Sequence, residues 1–89
     1  MSMVVDVDSA TRRAFGLADE LEPFDGEWHT HNRHQLLYAQ TGTMRVEAGS
    51  SVWRVPSDRA GWIPAGLPHR VSAGRPVSLR TLYLGPELV

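Results

Sequence analysis

Residues 28–42 read WHTHNRHQLLYAQTG, and this stretch is the most informative about the fold and the function of the chain. Three of the four histidines of the chain lie close together within it, at His29, His31 and His34. The run QLLYAQ that follows has apolar residues on both faces and is predicted to be a strand buried on both sides. Thr41-Gly42 then marks a turn, since glycine readily takes a positive φ. The stretch is therefore either a metal site at the start of a buried strand or a histidine-rich polar loop.

The rest of the chain is predicted to consist of short strands separated by tight turns. TMRVEA alternates apolar and polar residues, and SVWRV, AGWIP, HRVSA and VSLRTLYL follow it between turns rich in glycine, proline and serine. This spacing is typical of an all-β sandwich or barrel. Residues 9–21 fit either a short helix capped by Ser9 or, from Ala14 to Leu21, an edge strand, and we favour the strand.

Length and charge restrict the possible function classes. The chain has 89 residues and a net charge of −1, which predicts a single domain. We expect a lead-in segment over 1–24 and a barrel core over 25–85. The nine basic residues form no stripe of one sign, so nothing indicates that this chain alone binds nucleic acid.

Other functions are excluded by what the composition lacks. There is no cysteine, which excludes disulfides, thiolate zinc sites and cysteine nucleophiles. No apolar run approaches the roughly 18 residues of a membrane span, and the first residues do not resemble a signal peptide. The sequence therefore predicts a cytoplasmic protein without a membrane partner.

Four side chains form a candidate metal site. In an extended segment, residues two apart share a face, so His29 and His31 point the same way. The next strand can place Gln35 on that side, and His69 begins a later strand after the corner PAGLP. Three imidazoles and an amide oxygen suit zinc, nickel, copper or iron better than calcium or magnesium. His34 is adjacent to Gln35 and should point to the opposite face.

Two motifs resemble those of the cupin superfamily. His29-x-His31-x3-Gln35-x6-Gly42 is similar to the first cupin motif, and Pro64-x-Gly66-x2-His69 is similar to the second. Gln35 stands where many cupins have glutamate. The stretches HTHNRHQLLYAQTGTMRVEAG, WRVPSDRAGWIPAGLPHRV and RTLYL resemble, more particularly, the N-terminal sensor domain of AraC-type transcriptional regulators.

The resemblance implies a cupin-type double-stranded β-helix, or jelly-roll, barrel with the metal ligands at its mouth. It also implies a domain that binds a metal or small-molecule effector, forms a homodimer and lacks the DNA-binding part of such regulators. The alternative is a small metal-dependent cupin enzyme, of the dioxygenase or isomerase type. No nucleophile-and-base set can be assembled, so we assign no catalytic residues and favour the sensor.

The wall of the ligand pocket is assigned to four apolar residues. Core packing alone also explains each aromatic member of this set. The assigned residues are Leu37, Met44, Trp53 and Trp62.

Overall fold

The computed structural model describes residues 13–88 and is built from antiparallel strands. The strands are β1 (Ala14–Leu21), β2 (Phe24–Asp25), β3 (His34–Thr41), β4 (Thr43–Ala48), β5 (Ser51–Pro56), β6 (Ala60–Ile63), β7 (His69–Ala73) and β8 (Val77–Leu84). A short 3-10 helix, Pro86–Leu88, follows β8. No helix among the described residues is long and apolar enough to cross a lipid bilayer.

The strands form two four-stranded sheets. Sheet A has the order β1-β8-β3-β6, and sheet B has the order β2-β7-β4-β5. Most neighbours within a sheet are distant in sequence, as expected for a jelly roll, whose chain passes repeatedly from one sheet to the other. The predicted all-β class is confirmed.

The core lies between the two sheets and follows the two-residue period of the strands. In β4, Met44 and Val46 are fully buried, whereas Thr43 and Arg45 are exposed. Strands β3, β5 and β6 contribute Leu37, Val55 and Ile63 to the same core, and β8 contributes Val77 and Leu79. Inward side chains alternate with outward ones because successive Cβ atoms of a strand point to opposite faces.

The prediction that QLLYAQ is buried on both faces is wrong. Leu37 and Ala39 are fully buried, but Tyr38 between them is 44% exposed. Sheet A is covered on its inner side by sheet B, and no described residues form a second layer over its outer side. The apolar residues on the outer side of β3 therefore face solvent.

The strand favoured over 14–21 is confirmed. Strand β1 pairs with β8 along its whole length, from Ala14 opposite Leu84 to Leu21 opposite Val77. This strand falls within the predicted lead-in segment, whose residues 1–12 lie outside the described part of the chain.

The turn from β3 to β4 carries the chain from sheet A to sheet B and requires glycine. Gly42 has a φ of 90°, and a Cβ built on it would lie 2.8 Å from the Pro76 carbonyl oxygen and 3.2 Å from the Val77 Cα. Gly49, in the turn from β4 to β5, has a φ of 58° but nothing within 4 Å of such a Cβ. Both turns use the left-handed region, and only the first is also closely packed.

Candidate functional site

The fold brings three histidines from two distant parts of the chain together. One ring nitrogen from each of His29, His31 and His69 lies within 4.8 Å of those of the other two. His29 and His69 form an isolated antiparallel bridge, in which each backbone N–H donates to the other residue's carbonyl at 2.9 Å. His31 follows in the connection to β3, and its carbonyl accepts a 2.8 Å hydrogen bond from the Gly66 N–H. Backbone contacts therefore fix all three positions.

The cluster, which we call the histidine site, is buried on one side and open on the other. His69 is 0% exposed and His31 is 8% exposed, while His29 is exposed to solvent. Burial lowers the pKa of His69 to about 4, and the nearby His29 and His31 act in the same direction, against the hydrogen bond to the Leu67 carbonyl. His69 is therefore neutral at physiological pH, which is the protonation state of a metal ligand.

The proton of each ring is placed by a backbone carbonyl. The Nδ1 atom of His29 lies 2.9 Å from the Glu27 oxygen, that of His31 lies 2.9 Å from the Arg33 oxygen, and that of His69 lies 2.7 Å from the Leu67 oxygen. A carbonyl oxygen only accepts hydrogen bonds, so each Nδ1 carries the proton and donates. In a neutral ring this leaves a lone pair on Nε2. Histidines that bind metals are commonly oriented in this way.

The Nε2 atom of His69 is buried and has no hydrogen-bond partner. An unsatisfied buried polar atom of this kind costs about 1–3 kcal/mol. A cation coordinated at Nε2 would satisfy its lone pair. This atom is the strongest indication that the histidine site holds a ligand.

Gln35 supplies an oxygen beside the cluster. It is the second residue of β3, it is 5% exposed, and its Oε1 lies 3.1 Å from the His31 Nε2. With the His31 proton on Nδ1, its Nε2 accepts, so the Gln35 amide satisfies it without metal by turning its N–H toward the ring, and presents its oxygen to an ion when one is bound. Two ligand atoms bound at about 2.1 Å to one ion, at right angles, are about 3 Å apart. The spacing therefore fits two ligands of a shared ion.

The remaining residues predicted for the site lie in three different environments. Leu37 and Met44 belong to the hydrophobic core, and Trp53 packs against that core while partly buried. Trp62 is 40% exposed and stacks on His34 on the outer face of sheet A, so the structure does not bring it to the histidine site. His34 lies on the opposite face of β3 from Gln35, where the period of the strand puts it.

Tyr83 is a neighbour of the site that the sequence motifs do not include. Its ring stands edge-on to His31, with centroids 5.5 Å apart, and it is 3% exposed. Burial raises the pKa of Tyr83 to about 12, with a further contribution from Asp19. The alternation of residues 77–84 could have predicted that Tyr83 points inward. In β8, one face carries Val77, Leu79, Thr81 and Tyr83.

Residues 16–89 match the family model of the AraC-like ligand binding domain. The chain belongs to this family. The AraC-like domain is also 31% identical, over 61 residues, to the HTH-type transcriptional regulator NimR of Escherichia coli. The aligned part is 68% of this chain and 22% of NimR, so the domain spans about a fifth of that relative.

Solved structures similar to the AraC-like domain include cupins. It superimposes on an RmlC-like cupin from Shewanella frigidimarina with a TM-score of 0.74 and 14% identity, covering 86% of this chain and 72% of that one. Protein NMB1881 from Neisseria meningitidis gives a TM-score of 0.73 and 22% identity, with 85% and 78% covered. Bacillus subtilis oxalate decarboxylase, whose structure is described with Mn(II) centres, gives 0.74 and 20%, with 84% and 22% covered. These likenesses confirm the predicted cupin jelly roll.

Proposed function

We propose that this AraC-like domain is a sensor whose histidine site binds a divalent transition metal, with the metal or a small molecule held by it as the effector. The ligands are the Nε2 atoms of His29, His31 and His69 and the Oε1 of Gln35. One observation carries the proposal: all three Nδ1 atoms are engaged by carbonyls, while the buried Nε2 of His69 has no partner. Three neutral imidazoles and one amide oxygen favour zinc, nickel or iron.

The charge of this ligand set indicates the class of effector. All four proposed ligands are neutral, so a bound ion keeps its full double positive charge. Such an ion supplies a strong electrostatic contact for an anionic small molecule at any position the protein leaves open. A carboxylate or another small oxyanion is therefore the effector class that the site favours.

Metal content is the first measurement to make. Untagged protein, purified without chelator or added metal, is analysed by elemental mass spectrometry. About one equivalent of zinc, nickel, iron or manganese per chain supports the proposal. A metal-free protein that also takes up no added metal would instead make the three histidines the polar lining of an organic-effector pocket.

Bound metal should raise the thermal stability of the domain. A ligand that binds only the folded state, at one hundred times its dissociation constant, adds about 2.7 kcal/mol of stability. For a domain of this size the melting temperature should rise by roughly 10 °C or more. Differential scanning calorimetry of chelator-treated protein, with and without added Ni²⁺ or Zn²⁺, checks this result. Ca²⁺ is the control and should produce no shift, because nitrogen ligands do not suit it.

Gln35→Glu should change stability in opposite directions with and without metal. A carboxylate at this 5% exposed position is costly to bury without a partner, so the metal-free variant should melt several degrees below the parent. With metal, the carboxylate is a stronger ligand, and affinity should rise by roughly tenfold. Melting curves with and without chelator test both effects. A variant that loses stability in both conditions would remove Gln35 from the ligand set.

A second candidate is a small metal-dependent enzyme built on the same site. The supporting observation is that three histidines and one amide occupy only part of the coordination sphere of iron or manganese. Tyr83, an ionisable side chain packed against His31 besides the other two histidines, has a pKa of about 12 and is a poor base at neutral pH. An effector recovered chemically unchanged after incubation with metal-loaded protein supports the sensor. Its conversion to a product supports the enzyme.

The proposed setting is the cytoplasm, with no direct contact between this chain and nucleic acid. The absence of cysteine is compatible with a reducing compartment but does not require one. The net charge of −1, without a basic stripe, offers no electrostatic footprint for DNA.

A further inference from the structure

Sheet A presents a largely apolar surface on the side away from the core. The register of the sheet aligns Gly16, Leu82, Leu36 and Trp62 in one row across β1, β8, β3 and β6. Leu82 is 38% exposed and Trp62 is 40% exposed. We call this surface the outer apolar face and define it by Gly16, Leu36, Tyr38, Trp62, Leu82 and Leu84. Within residues 13–88 nothing covers it.

Large and small side chains are distributed unevenly across the outer apolar face. The β1 edge carries only small residues at its outward positions along most of its length, with Ala14, Gly16 and Ala18 all exposed. The β6 edge carries Trp62. The indole stacks on His34 with centroids 5.2 Å apart and planes 24° apart, and the Ala65 N–H donates to the His34 Nδ1 at 2.9 Å. Trp62 is therefore a fixed projection on one edge, and Gly16 marks a depression on the other.

We propose that the outer apolar face packs against the same face of a second copy of this chain. The two-fold axis runs parallel to the strands, between β8 and β3. A rotation of 180° about this axis leaves the position of each row along the strand direction unchanged. It places β1 of one copy over β6 of the other, and β8 of one copy over β3 of the other. Trp62 then lies over Gly16 of the partner subunit, and Leu36 lies over Leu82 of the partner subunit.

The adjacent row supports the same axis. Tyr38 pairs with Arg80 across β3 and β8, so the rotation places Tyr38 over Arg80 of the partner subunit. An arginine over a tyrosine ring is an attractive contact. Arg80 is held by Glu20, 3.7 Å away, and by Gln40 at 2.6 Å, so the two charges on this part of the face are of opposite sign. Two copies therefore meet without repulsion between like charges.

The dimensions of the face are adequate for a specific dimer. Four strands about 4.8 Å apart, with outward residues repeating about every 6.8 Å, give a surface of roughly 20 by 20 Å. Two copies then bury on the order of 1,000 Å² in total, which is close to the lower limit for a specific interface. Aromatic and leucine side chains at its centre and charges at one end fit the usual composition of such interfaces. The proposed dimer does not require the histidine site to hold a metal.

Sedimentation velocity over a wide range of protein concentration tests the proposal. The parent should form dimers. Leu82→Glu should raise the dimer dissociation constant by at least about 100-fold, because each interface then buries two unpaired charges. Val52→Glu is the matched control, since Val52 is 53% exposed but lies on sheet B. It should leave the dimer unchanged.

Gly16→Leu distinguishes a shape-complementary interface from non-specific hydrophobic association. A Cβ at Gly16 would meet only the Thr81 carbonyl oxygen, at the ordinary distance of 3.5 Å, so the monomer tolerates a side chain there. Leucine makes the surface more apolar but fills the depression that receives Trp62, and the dimer should weaken by about tenfold or more. A monomeric parent, or a dimer that Gly16→Leu strengthens or leaves unchanged, would overturn the proposal.

Discussion

Replacing His31 by alanine should lower the affinity for Ni²⁺ or Zn²⁺ by about 100-fold or more, because it removes a direct metal ligand. The Nε2 of His31 points into the site because its Nδ1 donates to the Arg33 carbonyl at 2.9 Å. Alanine has no atom that can coordinate the metal. The position is 8% exposed, so little water can enter to replace the lost imidazole ligand. Isothermal titration calorimetry of chelator-treated protein with Ni²⁺ or Zn²⁺ measures the affinities directly.

His34→Ala is the matched control for this loss. It removes an imidazole three residues away, on the opposite face, where the ring stacks on Trp62 and accepts a hydrogen bond from the Ala65 N–H. Metal affinity should change by less than about threefold, although the melting temperature should fall slightly with the lost hydrogen bond. Equal losses of affinity in the two variants would contradict the proposed ligand set. Melting curves in chelator show whether either variant fails for lack of folding.

Gly42→Ala should destabilise the protein by about 4 kcal/mol, a large part of the 5–15 kcal/mol that stabilises a typical domain. A residue with a Cβ is strained at a φ of 90°. The new methyl would also lie 2.8 Å from the Pro76 carbonyl oxygen, so one of the two backbone segments must move. The melting temperature should fall by roughly 20 °C.

Gly49→Ala provides the comparison for Gly42→Ala. Its backbone also has a positive φ, of 58°, but nothing lies within 4 Å of the added carbon. Only the conformational cost applies, and stability should fall by about 1 kcal/mol. Urea unfolding of the two variants separates the two causes, since the difference between them measures the close packing of the β3–β4 turn. A loss as small at Gly42 as at Gly49 would show that the segment at Pro76 yields easily.

Much of the candidate site could be predicted because it depends on spacing along the chain. His29 and His31 stand two apart, Gln35 follows within reach, and Pro64-x-Gly66-x2-His69 carries the third imidazole. The carbonyl oxygens that orient the rings could not be predicted. They belong to the backbone of Glu27, Arg33 and Leu67, and any residue type presents the same oxygen. That the cluster binds metal stays a prediction.

The inward and outward faces of the strands were predicted less reliably. The alternation in TMRVEA identifies Met44 and Val46 as buried, because polar residues separate them. QLLYAQ contains no such contrast, and the exposure of Tyr38 depends on whether another layer covers sheet A. The position of Trp62 depends on its pairing with Leu36, a register that no pattern within AGWIP specifies. Tyr38 and Trp62 both lie on the outer, exposed face of sheet A.

The proposed ligands come from both layers of the barrel. Gln35 belongs to sheet A, His69 belongs to sheet B, and His29 is bridged to His69. An ion held by all of them ties the two sheets at this end, so the free energy of binding opposes their separation. The concentration of the metal or effector would thereby set how frequently the two sheets separate at the end that carries the histidine site. A barrel without a hinge or a lid could then report a chemical signal as a change in its own rigidity.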